Sequence, residues 1–430
     1  MKLLIQNGYI LDSQINSDTP QDIFIENGKI KEIGSHIAEN GIDEIIDAGG
    51  CCVMPGIIDL HVHMREPGYE YKETIQTAGE AAAHGGITTM CAMPNTNPVI
   101  DTREKVAQVQ DKAKQVSPVH VIQFGAVTKE QKGSELSDIK GMAEAGCHAI
   151  SEDGKSVMDM ALYKEAMQKA VQNNLLVCAH CEDIGLVQGG VMNAGAKAQE
   201  LGLQGITNEV EDVIVKRDIA LAKETGARLH LCHCSTQESV RLLAEAKATG
   251  LQVTGEVCPH HFVLSTEDIQ EDHGNYKMNP PLREIRDVEA LRRGVKENVL
   301  DVIATDHAPH SEEEKSCGVE KAAFGIVGLE TMLALTYTEL VKTKVLTPLQ
   351  MVEKLSTNPA KILGLSNKGR IAAGKDADIV IFDTQKKYSI SKEEFVSKGK
   401  NMPFEGREVY GSVHYTIVNG EIVYKDKSLS

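Results

Sequence analysis

The 430-residue sequence lacks the features of a membrane protein or a nucleic-acid-binding protein. No apolar run approaches the roughly 18 residues of a spanning helix. Positive charge is scarce: 45 Lys and Arg stand against 62 Asp and Glu, a net charge of −17 that argues against a nucleic-acid or anionic-membrane partner. The stretch Met1–Gly8 turns polar too soon for a signal peptide. We therefore expect a cytoplasmic protein that acts on a small molecule.

The ten cysteines do not predict a disulfide framework, because no secretion signal accompanies them. Cys178–Cys181 and Cys232–Cys234 resemble redox or thiolate-zinc motifs. We favour the alternative that these cysteines are small apolar strand residues flanking two functional histidines, His180 and His233.

The middle of the chain alternates between strand-like and helix-like segments. Eight short apolar segments predict strands; they lie at 54–60, 87–93, 119–126, 147–151, 175–180, 228–233, 251–257 and 300–305. Stretches rich in Ala, Glu and Lys separate them and predict helices, for example at 72–84, 135–145, 159–173, 209–225, 238–249 and 288–297. This alternation predicts a (β/α)8 TIM-like barrel over residues 55–365. A doubly wound open sheet is the alternative, but no glycine-rich phosphate loop follows the first strand.

The two ends of the chain are β-rich. Short alternating runs are broken by Asn7-Gly8, Asn27-Gly28 and Asn419-Gly420, dipeptides typical of β-hairpin turns. Residues 1–54 and 366–430 are therefore predicted to form one small β-sandwich-like domain built from both termini.

Histidines mark the end of the first predicted barrel strand. His61 and His63 are two residues apart, so their side chains point to the same face of a strand and can reach one metal ion. Imidazole is a ligand that suits zinc. The segment therefore predicts a metal site at a strand-to-loop junction.

Other reactive groups follow the remaining predicted strands, as a barrel with its active site at the C-terminal strand ends requires. Four histidines and two aspartates come from five of these ends: His61, His63, Asp153, His180, His233 and Asp306. Carboxylate and imidazole ligands together suit a pair of zinc ions.

Long motifs carry a family resemblance. Asp59–Gly68, Gly85–Pro98, Met278–Arg283 and Ala304–His310 resemble the dihydroorotase family of the amidohydrolase superfamily, in its class I branch. The resemblance covers nearly the whole chain. It implies a zinc-dependent hydrolase of cyclic amides that interconverts (S)-dihydroorotate and N-carbamoyl-L-aspartate in pyrimidine biosynthesis.

The resemblance also implies ligand roles. His61, His63 and Asp306 would hold one zinc, and His180 and His233 the other, with Asp153 as the bridge. Many superfamily members use a carboxylated lysine on strand four, and here Lys155 is the rival bridge. Asp306 would also act as the general base; a role as ligand alone is the alternative.

Substrate contacts follow from the same resemblance. A guanidinium matches a carboxylate bidentately, so Arg65, with Asn95 and His310, would hold the substrate carboxylate. Asn279 and the backbone near Phe324-Gly325 would read the ring, and His63 would contact substrate as well as metal. Asn95 as a simple turn residue is the alternative, and Arg283 is interpreted as a surface charge at a helix start.

Two further predictions concern loops and partners. Residues 185–205 and 311–325 are candidate lids, and the acidic run 312–314 is interpreted as a solvated face.

We expect a homo-oligomer, with association with a carbamoyltransferase left open. The alternative functions are an allantoinase or dihydropyrimidinase-like cyclic amidase, or an inactive dihydroorotase-like scaffold subunit.

Overall fold

The computed structural model describes residues 1–15 and 19–429. The N-terminal region consists of five strands: β1 (Lys2–Ile10), β2 (Gln21–Glu26), β3 (Lys29–Gly34), β4 (Glu44–Asp47) and β5 (Cys52–Pro55). The predicted turn at Asn27-Gly28 is confirmed between β2 and β3, where both residues have positive φ. The turn predicted at Asn7-Gly8 is wrong. Asn7 (φ 59°) lies inside β1, where the pairing with β2 shifts register, so the pair forms a bulge rather than a hairpin.

The central region carries parallel strands, which confirms the predicted α/β class. Its strands are β6 (Ile57–Val62), β7 (Ile87–Ala92), β8 (His120–Gln123), β9 (Gly125–Ala126), β10 (Ala149–Ser151), β11 (Leu176–Ala179), β12 (Met192–Asn193), β13 (Gly205–Ile206), β14 (Leu229–Leu231), β15 (Val253–Val257) and β16 (Val302–Ile303). β6, β7 and β8 pair in parallel, as do β9, β10, β11, β14, β15 and β16 in that order. A parallel bridge between Val62 and His307 connects the segment after β16 back to β6.

Helices connect and follow these strands: α1 (Ile75–His84), α2 (Arg103–Val116), α3 (Ile139–Glu144), α4 (Met160–Gln172), α5 (Ile184–Val187), α6 (Ala196–Leu201), α7 (Glu209–Thr225), α8 (Gln237–Ala248), α9 (Pro259–Val263), α10 (Ile285–Lys296), α11 (Glu312–Lys315), α12 (Met332–Thr336), α13 (Pro348–Val352) and α14 (Asn358–Leu363). Local capping sets several starts: the Thr74 hydroxyl accepts from the Thr77 amide before α1, and Asp159 caps α4. Among the described residues, no helix is both long and apolar enough to cross a membrane.

The C-terminal region returns to the first sheet. β17 (Ile379–Ser389), β18 (Glu408–Val418) and β19 (Glu421–Lys425) extend it in the order β19-β18-β17-β5-β1-β2-β3, with β4 beside β1. The turn predicted at Asn419-Gly420 is confirmed between β18 and β19. A separate apolar cluster, including Ile5, Ile25 and Ile379, contains residues from both ends of the chain.

The segment 185–205, predicted as a long loop, contains secondary structure of its own. It includes α5 and α6, and β12 pairs in parallel with β13 at its end. Hydrogen bonds within these short elements give the segment a defined course despite its many glycines.

Candidate active site

The structure brings the six predicted metal ligands together at one end of the parallel strands. Each lies at or just beyond a C-terminal strand end: His61 in β6 and His63 just after it, Asp153 after β10, His180 after β11, His233 after β14 and Asp306 after β16. All six are buried. The group, called the ligand cluster below, has the placement predicted from the sequence.

Asp153 lies between the histidines of the cluster. Its Oδ1 is 3.1 Å from Nε2 of His61, and 3.7 Å from both Nδ1 of His180 and Nε2 of His233. Its Oδ2 is 3.4 Å from Nε2 of His63. Lys155, the rival bridge, instead donates from Nζ to the backbone carbonyl of Gln131 at 3.1 Å.

Asp306 faces the His61–His63 pair. Its Oδ1 lies 3.1 Å from Nε2 of His63 and 3.4 Å from Nε2 of His61. The ligand atoms of His61, His63 and Asp306 lie within 4.8 Å of one another, and so do those of His61, Asp153 and His233. His180 completes the cluster, with Nδ1 3.0 Å from Nε2 of His233.

Two buried atoms of the cluster test whether a metal fits. Nε2 of His61 and Oδ1 of Asp153 are 3.1 Å apart, yet neither has a hydrogen-bond partner. Buried polar atoms without partners are rare because each loses its hydration. A cation bound to both atoms would satisfy them, and imidazole nitrogen and carboxylate oxygen are donors that zinc uses. The donor set therefore fits a divalent metal.

The charges in the cluster stabilise one another. Burial opposes protonation of His61, but the Asp153 and Asp306 carboxylates outweigh it and raise the pKa of His61 well above its usual value. Burial likewise opposes ionisation of Asp306, but His61 and His63 hold its pKa well below the ordinary range. Burial also opposes ionisation of Asp153, but His61 and His233 hold its pKa well below the ordinary range. Both aspartates are therefore ionised at neutral pH, as metal ligation requires.

The backbone is strained at three residues of this region. His233 (φ 33°), Asp306 (φ 51°) and Arg65 (φ 63°) adopt positive φ values that non-glycine residues rarely occupy. Such residues concentrate at functional sites, where the surrounding structure enforces them.

Two acidic residues not predicted from the sequence orient the cluster. Glu256, in β15, accepts from Nδ1 of His61 at 2.8 Å and from Nε2 of His230 at 3.0 Å. Burial opposes its ionisation, but these histidines lower its pKa to about 2. Asp59 accepts from the His61 amide at 3.2 Å and from the Thr305 hydroxyl at 2.5 Å. The sequence could have indicated Glu256, because it is an acidic residue within an otherwise apolar strand.

Arg65 and His310 lie together at the mouth of the cluster. Arg65 donates from Nε to the Pro309 carbonyl at 3.1 Å, and its Nη2 is 3.1 Å from Nε2 of His310. That Nε2 also lies 2.8 Å from the carbonyl oxygen of Phe324. Burial, with Arg65 and Lys72, lowers the pKa of His310 to about 3. His310 is therefore neutral and the nearby cationic charge is carried by Arg65 and Lys72.

The two predicted asparagines contact or adjoin the ligand histidines. Oδ1 of Asn95 accepts from Nδ1 of His63 at 2.9 Å, which fixes the orientation of that ring. Asn279 lies beside Glu182, whose Oε2 accepts from Nε2 of His180 at 2.9 Å. Gly325 donates its amide to the Lys277 carbonyl at 3.0 Å.

The interpretation of Arg283 as a surface charge is wrong. The side chain is only 2% exposed. It donates to the Ser235 hydroxyl and to the side-chain oxygen of Asn193, each at 3.0 Å, and lies 3.6 Å from Glu211. In the sequence, an arginine just before a helix is compatible with an exposed or a buried side chain. Only the packing of α7 and β12 around Arg283 shows that it is buried.

The prediction for the acidic run 312–314 is correct for two residues and wrong for the third. Glu312 and Glu313 are exposed. Glu314 is partly buried and accepts from the Tyr71 hydroxyl at 3.0 Å, with Lys72 at 2.9 Å and Nδ1 of His310 at 3.1 Å. It links the segment 311–325 to the residues after β6.

Family models match two parts of the chain. Residues 50–239 match the model described as dihydro-orotase-like, and residues 318–424 match a model of the amidohydrolase family. The first of these ranges contains five of the six members of the ligand cluster, all except Asp306.

Individual relatives and structures extend the match to the whole chain. A dihydroorotase from Pelotomaculum thermopropionicum is 47% identical over 99% of both chains, and one from Acetivibrio thermocellus is 46% identical over 99% of this chain and 100% of its own. The L-hydantoinase (dihydropyrimidinase) from Arthrobacter aurescens superimposes with a TM-score of 0.89 at 28% identity, covering 98% of this chain and 96% of that one. Together with the site geometry, these matches show that the chain belongs to the dihydroorotase family of the amidohydrolases.

Proposed function

We propose that the protein is a zinc-dependent dihydroorotase that reversibly interconverts (S)-dihydroorotate and N-carbamoyl-L-aspartate. The observation that carries this proposal is the full-length identity of 44–47% to dihydroorotases. The buried ligand cluster and the adjoining Arg65 supply the chemistry that such a reaction needs. The product of cyclisation is a precursor of the pyrimidine ring, which assigns the enzyme to pyrimidine biosynthesis.

The proposed architecture places this site at the mouth of a (β/α)8 barrel formed by residues 55–365. The parallel pairings and the Val62–His307 bridge support closure of the ring. Residues 1–54 and 366–430 form a second, β-sandwich-like domain in this proposal, supported by the sheet and the apolar cluster that combine both ends of the chain.

Two zinc ions are proposed for the ligand cluster. His61, His63 and Asp306 would hold one, His180 and His233 the other, and the central position of Asp153 supports its role as the bridge. When bound, zinc polarises a carbonyl and lowers the pKa of water from about 15.7 to roughly 7.

Asp306 is proposed as the general base. It takes a proton from the attacking water and delivers it to the ring nitrogen that leaves, and reverses both transfers during cyclisation. Its carboxylate is ionised in the cluster, and its Oδ1 lies 3.1 Å from Nε2 of His63, at the centre of the proposed site. Proton transfer of this kind contributes about 10²- to 10⁴-fold to rate.

Arg65 is proposed to bind the carboxylate of dihydroorotate, with His310 and Asn95 beside it. The guanidinium already contacts His310 and is near enough to Asp306 for their charges to interact. Because Oδ1 of Asn95 is engaged by His63, its amide group is the part left to contact substrate. Asn279, with the backbone at Phe324 and Gly325, is proposed to read the ring, and His63 to contact it from the metal side.

Further proposals concern lids, assembly and location. Segments 185–205 and 311–325 are proposed as lids; the contact of Glu314 with Lys72 supports the second. We also propose a homo-oligomer, with association with a carbamoyltransferase as a further outcome to test. The ten cysteines are all free thiols, which supports a reducing cytoplasmic location.

Metal removal tests the proposal. Chelation should abolish dihydroorotate hydrolysis and zinc should restore it, with metal content measured alongside. Asp306→Asn should lower kcat by at least about 10²-fold because the amide cannot accept the proton. Full activity in metal-free protein, or near-normal kcat in an Asp306→Asn variant that retains its metal, would contradict the mechanism.

A cyclic amidase acting on rings without a carboxylate is the second candidate. It is favoured by the TM-scores of 0.84–0.89 to hydantoinases and dihydropyrimidinases. Those structures are only 25–28% identical to this chain, which is well below its identity to the dihydroorotases. An inactive scaffold subunit is disfavoured because all six ligand residues are present and lie close together.

A further inference from the structure

We propose that Cys258, His260 and His261 form an additional transition-metal site, separate from the ligand cluster. The three residues follow β15 and begin α9. Each is no more than 2% exposed, and their ligand-capable atoms lie within 4.8 Å of one another. None of them belongs to the six residues that carry the proposed reaction, so the inference does not depend on the proposed function.

Unpaired nitrogen atoms are the first observation in support. Nε2 of His261 donates to the Pro280 carbonyl at 2.9 Å, which leaves Nδ1 as a lone-pair acceptor. That Nδ1 and Nε2 of His260 are buried and have no hydrogen-bond partner. Two adjacent buried nitrogens without partners are unfavourable in an ordinary core, and a bound cation satisfies both.

The bond from His261 to Pro280 is the second observation. A metal-binding histidine usually donates its other ring N–H to a carboxylate, a backbone carbonyl or water, which fixes the tautomer that binds the metal. His261 already has this arrangement. A metal on Nδ1 would tie α9 to the segment Met278–Pro281, which carries Asn279.

The protonation states of the two histidine rings suit a metal ligand. Burial lowers the pKa of His261 to about 3 and that of His260 well below its usual value, so both rings are neutral and offer lone pairs. Burial also raises the pKa of the Cys258 thiol, as do the nearby carboxylates Asp306, Glu256 and Asp59. A bound transition ion would supply the positive charge that stabilises the thiolate.

The donor types select the class of metal. One sulfur and two imidazole nitrogens suit Zn²⁺ or a similar transition ion rather than Mg²⁺ or Ca²⁺, which prefer oxygen. Zinc bonds of about 2.0–2.3 Å place tetrahedral ligands roughly 3.3–3.8 Å apart. Side-chain shifts of about 1 Å therefore bring these atoms into coordination.

Cobalt substitution tests the site directly. Thiolate bound to Co²⁺ gives a near-ultraviolet charge-transfer band, whereas the ligand cluster contains only imidazole and carboxylate donors. The full-length protein loaded with Co²⁺ should show this band, and Cys258→Ser should remove it. The variant should also contain one metal ion fewer per chain than the wild type.

Cys232→Ser is the matched control, because Cys232 is another buried cysteine and lies near His61 and Glu256. It should retain the band. His260→Asn keeps the thiol but should shift or remove the band. If Cys258→Ser does not fold, His260→Asn provides the test of the site instead. The proposal is overturned if the wild type shows no thiolate band, if Cys232→Ser removes the band instead, or if metal content is the same in Cys258→Ser and wild type.

Discussion

Replacing Glu256 by Gln is expected to weaken metal binding without altering any ligand. Oε1 of Glu256 accepts from Nδ1 of His61 at 2.8 Å and from the His233 amide at 3.2 Å, and Oε2 accepts from Nε2 of His230. A glutamine of the same shape loses the charge and presents an NH₂ group to one of two donors. His61 would then lose the partner that orients its ring and makes Nε2 a stronger ligand.

The expected magnitude follows from these contacts. A hydrogen bond to a charged acceptor contributes about 1.5–3 kcal/mol, against about 0.5–1.5 kcal/mol for a neutral one. This difference corresponds to a roughly tenfold weaker metal affinity if the amide oxygen of the glutamine faces His61. The loss of affinity approaches about 100-fold if the NH₂ group faces His61. Glu256→Gln should therefore raise the metal Kd about 10- to 100-fold, measured by competition with a chelator.

Glu211→Gln provides the matched control. Glu211 is also a buried carboxylate and accepts from the Ser235 amide at 2.9 Å and the Ser239 hydroxyl at 2.6 Å, but it contacts none of the six ligands. Its metal Kd should stay within about twofold of wild type, since no ligand loses a partner. Wild-type metal affinity in Glu256→Gln, or equal losses in the two variants, would refute the proposed role of Glu256.

Three further substitutions test other parts of the structure. Arg65→Met should lower kcat/KM for dihydroorotate by roughly 30-fold to several thousand-fold, because truncating one partner of a buried charge pair costs about 2–5 kcal/mol. Metal content and any activity on dihydrouracil should stay unchanged. An equal loss on both substrates would contradict the contact between Arg65 and the substrate carboxylate. Arg283→Met should destabilise the fold by about 3–5 kcal/mol in chemical denaturation, because Glu211 is left buried without its cation, whereas the exposed Arg103→Met should change stability by less than about 1 kcal/mol. Burial lowers the pKa of Lys354 from 10.5 to about 8, so between these pH values the unfolded chain binds the proton and the folded chain does not. The free energy of unfolding of the wild type should therefore rise, relative to that of Lys354→Met, by about 1–3 kcal/mol from pH 8 to pH 10. A difference between the two proteins that stays constant with pH would contradict the pKa shift.

The convergence of the ligands could be predicted because it follows from topology. Parallel strands place their C-terminal ends at one edge, so residues as distant in sequence as His61 and Asp306 were expected to meet. Composition also located a long helix: the stretch rich in Ala, Glu and Lys at 209–225 was predicted as a helix and forms α7. Both inferences rest on patterns repeated along the chain.

Features that depend on tertiary packing could not be predicted in this way. Arg283 is buried because Ser235, Asn193 and Glu211 meet around it, and these partners lie far apart in the sequence. Asn7 has the sequence of a turn, but β4 and β5 pair with β1 on either side of it and keep the strand continuous. Glu256 lies in a predicted strand, yet its role depends on His61, 195 residues away.

The ends of elements depended on local capping rather than periodicity. The helix predicted from residue 72 begins at Ile75, because Thr74 caps it. The helix predicted over 135–145 is shortened to Ile139–Glu144, where the Asp138 carboxylate accepts from the Gly141 amide.

Comparison of two ring substrates tests the central proposal most directly. The purified, zinc-loaded protein should be assayed for hydrolysis of dihydroorotate and of dihydrouracil, which has the ring without the carboxylate. The structure predicts that kcat/KM for dihydroorotate is higher by at least about 30-fold, because the Arg65 guanidinium gains a charged partner only with that substrate. Hydrolysis of dihydrouracil as fast as that of dihydroorotate would contradict a dihydroorotase and support a broader cyclic amidase.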